Sequence, residues 1–293
     1  MLKCVCALIL AFVVTPEYAQ TGDADTMTSI SSESGRVPVP AVAPAREQAQ
    51  MGKSTLLRID ANGILRVGIA PNAPWVMHDA HGAPIGYSID VARKLASSMG
   101  WKVQFVENTW SNLVPGLRAH QYDVIISGLS ITPQRARYVQ FTDPISEFDV
   151  EIVVNRNRFP HGGIAELRSL GQAKVAARKG RVTVEFAHNA LPQMNILEID
   201  DEEAAIAELR AGKIDAYVAI APLPYLLETL HPGQLRALQG EPIARTAHGF
   251  AVRRGDVDLQ RVLDAWIVYE KTSGWLKERG HYWFETTGWA SFL

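Results

Sequence analysis

"LRAHQYDVIISG" at residues 117–128 and "LRAGKIDAYVAI" at residues 209–220 are two writings of one unit, ninety-two positions apart. Leu, Arg, Ala and Asp recur in register. Each copy closes an amphipathic helix, sets an acid (Asp123, Asp215) at the entry of a strand, and then runs apolar. Any two helix–strand joints share composition, but a repeat of this length predicts two similar α/β lobes in one chain.

The flanking sequence extends the pattern. "ILRVGIA" (64–70) is a short apolar run bounded by Gly63 and a loop from Pro71 to Pro74, and reads as a strand. "SIDVARKLASSMG" places Ile89, Ala92, Leu95, Ala96 and Met99 on one helical face, with Ser88 and Asp90 expected at its capped start and Gly100 at its stop. "KVQFVEN" and "YDVIISG" read as strands and "SNLVPGLRAH" as a short helix, so the alternation predicts an α/β sheet of parallel strands. "FDVEIVVN" (148–155) is long enough to cross between lobes. Strand "AKVAA" (173–177), helices "TVEFAHNAL" and "DDEEAAIAELRAG", and the strand at 214–220 then repeat the alternation. "GFAVRRGD" (249–256) is extended and can carry the chain back. Leu259, Val262, Leu263, Trp266, Tyr269 and Glu270 follow at helical spacing, before an aromatic tail that must pack against the body.

At 293 residues and 47% hydrophobic content the chain can bury a sizeable core. Lys and Arg number 29 against 31 Asp and Glu, so the net charge of −2 carries no footprint for nucleic acid. "MLKCVCALILAFVVTPEYAQ" combines Lys3, an apolar stretch from Cys4 to Val14, and Ala19 before a cleavage point. Residues 1–19 therefore read as a signal peptide and predict export to the periplasm. Residues 20–55 mix Ser, Thr, Pro and Ala without apolar periodicity and read as a disordered linker. Both cysteines, Cys4 and Cys6, fall in the signal segment, so the exported chain would have no thiol or disulfide chemistry. The eight histidines show no metal-ligand spacing; His78 and His81 share a Gly-containing turn that reads as solvated. No dinucleotide or phosphate-loop motif occurs, and no metal or cofactor is expected.

"SGLSITPQR" (127–135) is the stretch that suggests chemistry. In an α/β sheet ligands bind beyond the carboxyl ends of strands. Here Ser127 and Gly128 end a strand, Ser130 and Thr132 offer hydroxyls, and Pro133 suits a first helical turn. Arg135 sits in that turn, eight positions from the next acid, Asp143. A guanidinium, free amides and hydroxyls converging at a helix start form a site for a carboxylate or phosphate. The bland reading is a solvated surface arginine.

"GILRVGIAPNAPWVMHDAHGAPIGYSIDVARKLA", "WSNLVPGLRAHQYDVIISGLSITPQRARYVQFTDP" and the later "GFAVRRGD" resemble bacterial periplasmic solute-binding proteins of the amino-acid-binding family, which serve ABC importers. The resemblance spans roughly residues 60–290. It implies a two-lobed type II clamshell joined by two hinge strands, with lobe 1 at 56–150 plus 248–293 and lobe 2 at 151–247. It further implies that Arg135 holds the ligand's carboxylate, that Ser130 and the amides from Ser127 through Gly128 to Thr132 assist, and that Trp75 walls the pocket. A small carboxylate ligand, an ABC permease and a monomeric state are the implied partners and assembly.

Two departures from that family matter. Where members place an acid for the ligand's ammonium, "DAYVAIAP" has Ile220; where they place Gly-Thr, this chain has Gly180–Arg181. An ammonium buried against isoleucine without a counter-charge is costly. A carboxylate or dicarboxylate bridging Arg135 and Arg181 is the expected ligand, unless an acid near the hinge (Glu147, Asp149 or Glu151) takes the missing place or Arg181 faces solvent. The same fold also resembles a periplasmic dehydratase of the cyclohexadienyl dehydratase type, acting on prephenate or arogenate. That enzyme's general acid falls at Val184, beside Glu185, which argues against elimination. Trp110, at the head of a helix, is read as a core residue, with a place on the pocket wall as the alternative.

Overall fold

Asp123 and Asp215 do the same work in two different sheets. Each accepts a backbone N–H from the neighbouring strand, Arg66 at 3.0 Å and Lys174 at 2.8 Å. Each also returns its own N–H to that residue's carbonyl, at 2.9 and 2.8 Å. Three positions earlier, His120 and Gly212 both take left-handed backbone, with φ of 59° and 70°. The repeat read from sequence is therefore a repeat of structure, down to a turn that only glycine adopts without cost. The ionic surroundings differ. Asp123 is fully buried among Arg58, Arg66 and Arg253, and against the opposing cost of burial the hydrogen bonds from Arg66 and Arg58 hold its carboxyl below the ordinary range. Asp215 meets only the half-exposed Arg158.

The computed structural model describes residues 54–161, 163–169, 171–286 and 288–289; the expected signal peptide and nearly all of the expected linker lie outside the described residues. Ser54 accepts the N–H of Leu57 at 3.2 Å and starts a helix, Thr55–Asn62, inside the tail of the span assigned to the linker.

The strands run β1 (Ile64–Ile69), β2 (Met77–His78), β3 (Pro84–Ile85), β4 (Lys102–Glu107), β5 (Val124–Ile125), β6 (Val139–Phe141), β7 (Ser146–Asn155), β8 (Lys174–Arg178), β9 (Asn195–Ile199), β10 (Ala216–Ile220), β11 (Leu235–Ala237), β12 (Ala244–His248) and β13 (Ala251–Arg253). One sheet has the order β4-β1-β5-β13-β6; the other has β11-β7-β10-β8-β9, with β12 also on β7. Where helices join successive strands the pairs are parallel, as β1 with β4 and β5, and β8 with β9 and β10. The strands adjoining the crossings, β7 and β13, pair antiparallel with β10 and β5. The expected all-parallel sheet is thus corrected to two mixed sheets, because the chain enters one sheet and returns to the other against their prevailing direction.

The helix Tyr87–Ser98 buries Ile89, Val91, Ala92, Leu95 and Ala96, as its spacing requires. It does not begin on Ser88. Gly86 is its cap at φ 128°, where a Cβ would stand 2.4 Å from the Trp75 carbonyl oxygen. Ser88 is buried in the first turn, and the Asp90 carboxylate accepts the Trp283 indole N–H at 2.7 Å instead of capping. The helix Val257–Ser273 buries Leu259, Leu263, Trp266 and Glu270, but Tyr269 is exposed. The aromatic tail packs inward through a second helix, Trp275–Phe284, whose Phe284 ring lies 5.1 Å from Trp75 and 4.8 Å from Tyr87.

Candidate functional site

The chain crosses between the sheets twice, from Phe141 to Ser146 and from His248 to Ala251. β7 and β12 pair antiparallel at these crossings, with Ser146 opposite His248. Two extended segments side by side form the floor of a cleft between the lobes.

Thr132 accepts the N–H of Arg135 at 3.2 Å and starts a helix of a single turn, Pro133–Ala136. One turn has little dipole, so the helix start expected to bind an anion positions Arg135 rather than attracting charge itself. The Arg135 guanidinium donates to the Ser130 carbonyl at 2.8 Å and, across the cleft, to the Gly180 carbonyl at 3.1 Å. Arg181 faces it from the other lobe. Its Nη1 donates to Asn72 Oδ1 at 2.9 Å, and its guanidinium carbon lies 3.5 Å from the Trp110 ring centroid. Trp110 is therefore half-buried at the edge of the core and lines the cleft as well. Its indole sits between Arg181 and Arg135, the latter 5.8 Å away, and donates to the Gly180 carbonyl at 3.2 Å.

Among the described residues, neither Arg135 nor Arg181 has a carboxylate within ion-pair distance. Burial lowers the Arg135 guanidinium to about 10 and that of Arg181 to about 9. Both remain charged at neutral pH, facing carbonyls, an amide oxygen and an aromatic ring. Solvent exposure of Arg181 is excluded, since its Nε and Nη2 are buried without a partner. Among the described residues the acid that acts on Arg181 is Glu202, which lines the same cavity beyond ion-pair distance, so the two guanidiniums leave the cleft with an excess of positive charge.

The other expected residues divide. Trp75 is buried against Phe148, His248 and Phe284 and walls the cleft. Gly128, at φ 66°, lets the loop press on Trp75, because a Cβ there would stand 2.8 Å from the ring. Ile220 ends β10 and lines a cavity of 20 Å³ with Arg181, Asn72 and Trp75. Ser130 is buried, and its backbone bridges to His248. The Ser127 hydroxyl is consumed structurally, accepting from Ala70 N at 3.0 Å and donating to Ala70 O at 3.1 Å. The Thr132 hydroxyl is consumed as a helix cap.

None of the hinge acids fills the place of Ile220. Glu147 is exposed, Asp149 pairs with Arg245 at 2.7 Å, and Glu151 accepts the Tyr225 hydroxyl at 2.6 Å. Glu185 is exposed. Val184 packs against the core. The carboxylate that does reach the cleft wall is Glu202, held by the Tyr217 hydroxyl at 2.7 Å and by Arg178 at 3.6 Å. Sequence reasoning missed Glu202, Asn72 and His248. Only Asn72 carried a signal, as a polar residue in the Pro-rich loop before Trp75.

This fold is the two-lobed α/β architecture of type II periplasmic binding proteins. Residues 65–286 match the model of bacterial extracellular solute-binding proteins, family 3, and the chain belongs to that family. It is 28% identical over 250 residues to a cyclohexadienyl dehydratase of Pseudomonas aeruginosa, covering 83% of this chain and 90% of that one. It is also 28% identical over 237 residues to a probable amino-acid ABC transporter periplasmic-binding protein of Sinorhizobium fredii, covering 75% and 77%. Among solved structures, a putative ABC-transporter binding component from Wolinella succinogenes in complex with lysine superposes with a TM-score of 0.73 at 27% identity, covering 78% of this chain and 99% of that one.

Proposed function

We propose that this chain is a periplasmic solute-binding protein that captures a small carboxylate between lobes 56–150 plus 248–293 and 151–247 and delivers it to an ABC importer. The observation that carries the reading is the pair Arg135 and Arg181, two half-buried cations from opposite lobes that, among the described residues, have no carboxylate within ion-pair distance. Arg135 takes the ligand's carboxylate; Arg181 takes a second anionic group or shares the first. Trp75 and Trp110 supply flat walls, and Gly128 lets the loop approach. Ile220 stands where the family places an acid, and Glu202 on the same wall is already held by Arg178 and Tyr217, so an organic acid fits better than a common α-amino acid. Closure around the ligand would present both lobes to the permease, and a monomer is sufficient for that.

The cavities beside Trp75 measure 20 and 10 Å³, while a wider one of 910 Å³ lies between the lobes along Trp110 and Gly180, so a ligand that reaches Trp75 needs the lobes to part. A thermal-shift panel of organic acids, dicarboxylates and amino acids tests the reading: stabilisation by an acid supports it, and no shift from any compound counts against it.

A second reading is supported by the match to the dehydratase over 90% of that enzyme. A dianion such as prephenate suits two arginines. The elimination needs an acid at the leaving hydroxyl. The position aligned with that acid holds Val184, and Glu202 is already engaged by Arg178. Incubation with prephenate or arogenate decides: phenylpyruvate or phenylalanine would establish the enzyme, and its absence leaves the binding reading.

A further inference from the structure

Buried polar atoms without a partner are concentrated in the cleft. Of eleven such side-chain atoms among the described residues, six belong to Trp75, Ser146, Arg181 and His248. Each left unpaired in a dry site costs about 1–3 kcal/mol, so a protein that keeps them together keeps them for something that arrives.

His248 is the least expected of these. It is 1% exposed, and neither ring nitrogen has a partner. Its ring packs 4.9 Å from Phe148 and 5.4 Å from Trp75. It stands directly opposite Ser146, whose hydroxyl is also buried and unpartnered, where β7 and β12 meet at the lobe crossing. Both residues line one cavity of 10 Å³, together with Trp75, Tyr87 and Gly128. Burial holds the imidazole neutral, with its titration lowered to about 3 and the charges of Arg181 and Arg135 acting in the same direction. A neutral imidazole offers one donor and one acceptor, and a serine hydroxyl offers both. No carboxylate lines this cavity to hold an ammonium. Its volume suits a single oxygen atom.

We infer that His248 and Ser146 form a subsite for an uncharged oxygen on the ligand, so that the protein selects hydroxy- or keto-carboxylates over amino acids and over plain acids of the same skeleton. The inference rests on the proposed carboxylate-binding function and extends it. Arg135 and Arg181 set the anion, and the hinge pair reads the neighbouring oxygen. A hydroxyl there donates to the open imidazole nitrogen and accepts from Ser146 or the Trp75 indole. A keto oxygen accepts from the same donors.

The test is calorimetric titration with three skeletons, each as the plain, hydroxy, keto and amino acid: propanoate, lactate, pyruvate and alanine; succinate, malate, oxaloacetate and aspartate; phenylpropanoate, phenyllactate, phenylpyruvate and phenylalanine. For at least one skeleton the oxygenated acid is expected to bind ten-fold or more tighter than the plain and amino forms. His248→Phe should bring the ratio of oxygenated to plain acid close to one, and Ser146→Ala should reduce it. If His248→Phe does not fold, imidazole nitrogen resonances in histidine-labelled wild type replace it: they should shift with the hydroxy acid and not with the plain acid. Plain and oxygenated acids binding equally well would overturn the subsite while leaving the carboxylate-binding function standing. A His248→Phe variant that weakens every acid by one factor, keeping the ratio, makes the residue structural and also overturns it. Binding of no acid at all overturns both.

Discussion

The guanidinium of Arg181 stacks on the Trp110 ring from the opposite lobe, 3.5 Å from its centroid, with Nη1 on Asn72. A cation–π contact and one neutral hydrogen bond repay only part of the cost of burying a charge. The contact ties the two lobes together through Arg181, and under the proposed function the same cation meets the ligand's anion.

That balance predicts opposite effects of one substitution. Arg181→Met removes a half-buried charge with no carboxylate within ion-pair distance among the described residues, while keeping apolar bulk over Trp110. The ligand-free protein should lose no stability, measured by the urea midpoint, while affinity for a stabilising acid falls ten-fold or more, the scale of a charged hydrogen bond. A strongly destabilised ligand-free variant would show the contact to be structural.

Ile220→Asp places a carboxylate at the wall beside Arg181. It should raise affinity for α-amino acids at least ten-fold over wild type, measured by calorimetry, and weaken organic acids by neutralising Arg181. A wild type that already binds a common amino acid tightly would refute the argument from Ile220.

His248 gives a pH signature. Its titration is lowered from 6.5 to about 3 by burial, with Arg181 and Arg135 adding to the effect and no acid opposing it. Below pH 6.5 the unfolded chain binds a proton that the closed fold refuses. This contribution is therefore complete above pH 6.5 and is lost as pH falls toward 3, by up to about 1.4 kcal/mol per pH unit. Urea midpoints between pH 7 and 5 should fall in wild type and fall less in His248→Phe.

Asp123 and Asp215 share a backbone role but not an ionic one. Asp123→Asn leaves Arg58 and Arg66 beside a neutral amide, while Arg253 keeps Asp256 at 3.1 Å, and should cost about 3 kcal/mol by equilibrium unfolding. Asp215→Asn, beside the half-exposed Arg158, should cost roughly half of that. Equal losses would mean that the ionic environment of Asp123 adds nothing.

The fold was legible because its cause is local. The repeated Asp at a strand entry bonds an adjacent strand, and the left-handed turn before it recurs, so both marks lie within twelve residues of chain. Strand direction at the crossings was not legible, since antiparallel return depends on where a distant segment docks. The site was half legible. Arg135 stood out through the absence of a nearby acid in sequence, and Arg181 as a departure from the family's Gly-Thr; neither has a carboxylate within ion-pair distance among the described residues. Ser127 and Thr132 have the composition of ligand contacts, yet their hydroxyls serve Ala70 and a helix cap. His248 and Glu202 were invisible because nothing local marks a histidine whose burial comes from Phe148 and Trp75, or an acid whose partners are Tyr217 and Arg178.

The most direct test sets wild type and Arg135→Ala side by side in one thermal-shift panel of organic acids. At a hundred times its dissociation constant a ligand adds about 2.7 kcal/mol, or roughly 5–10 °C in a chain of this size. The account predicts such a rise for at least one acid in wild type and none in Arg135→Ala; a variant that rises as far as wild type would contradict it.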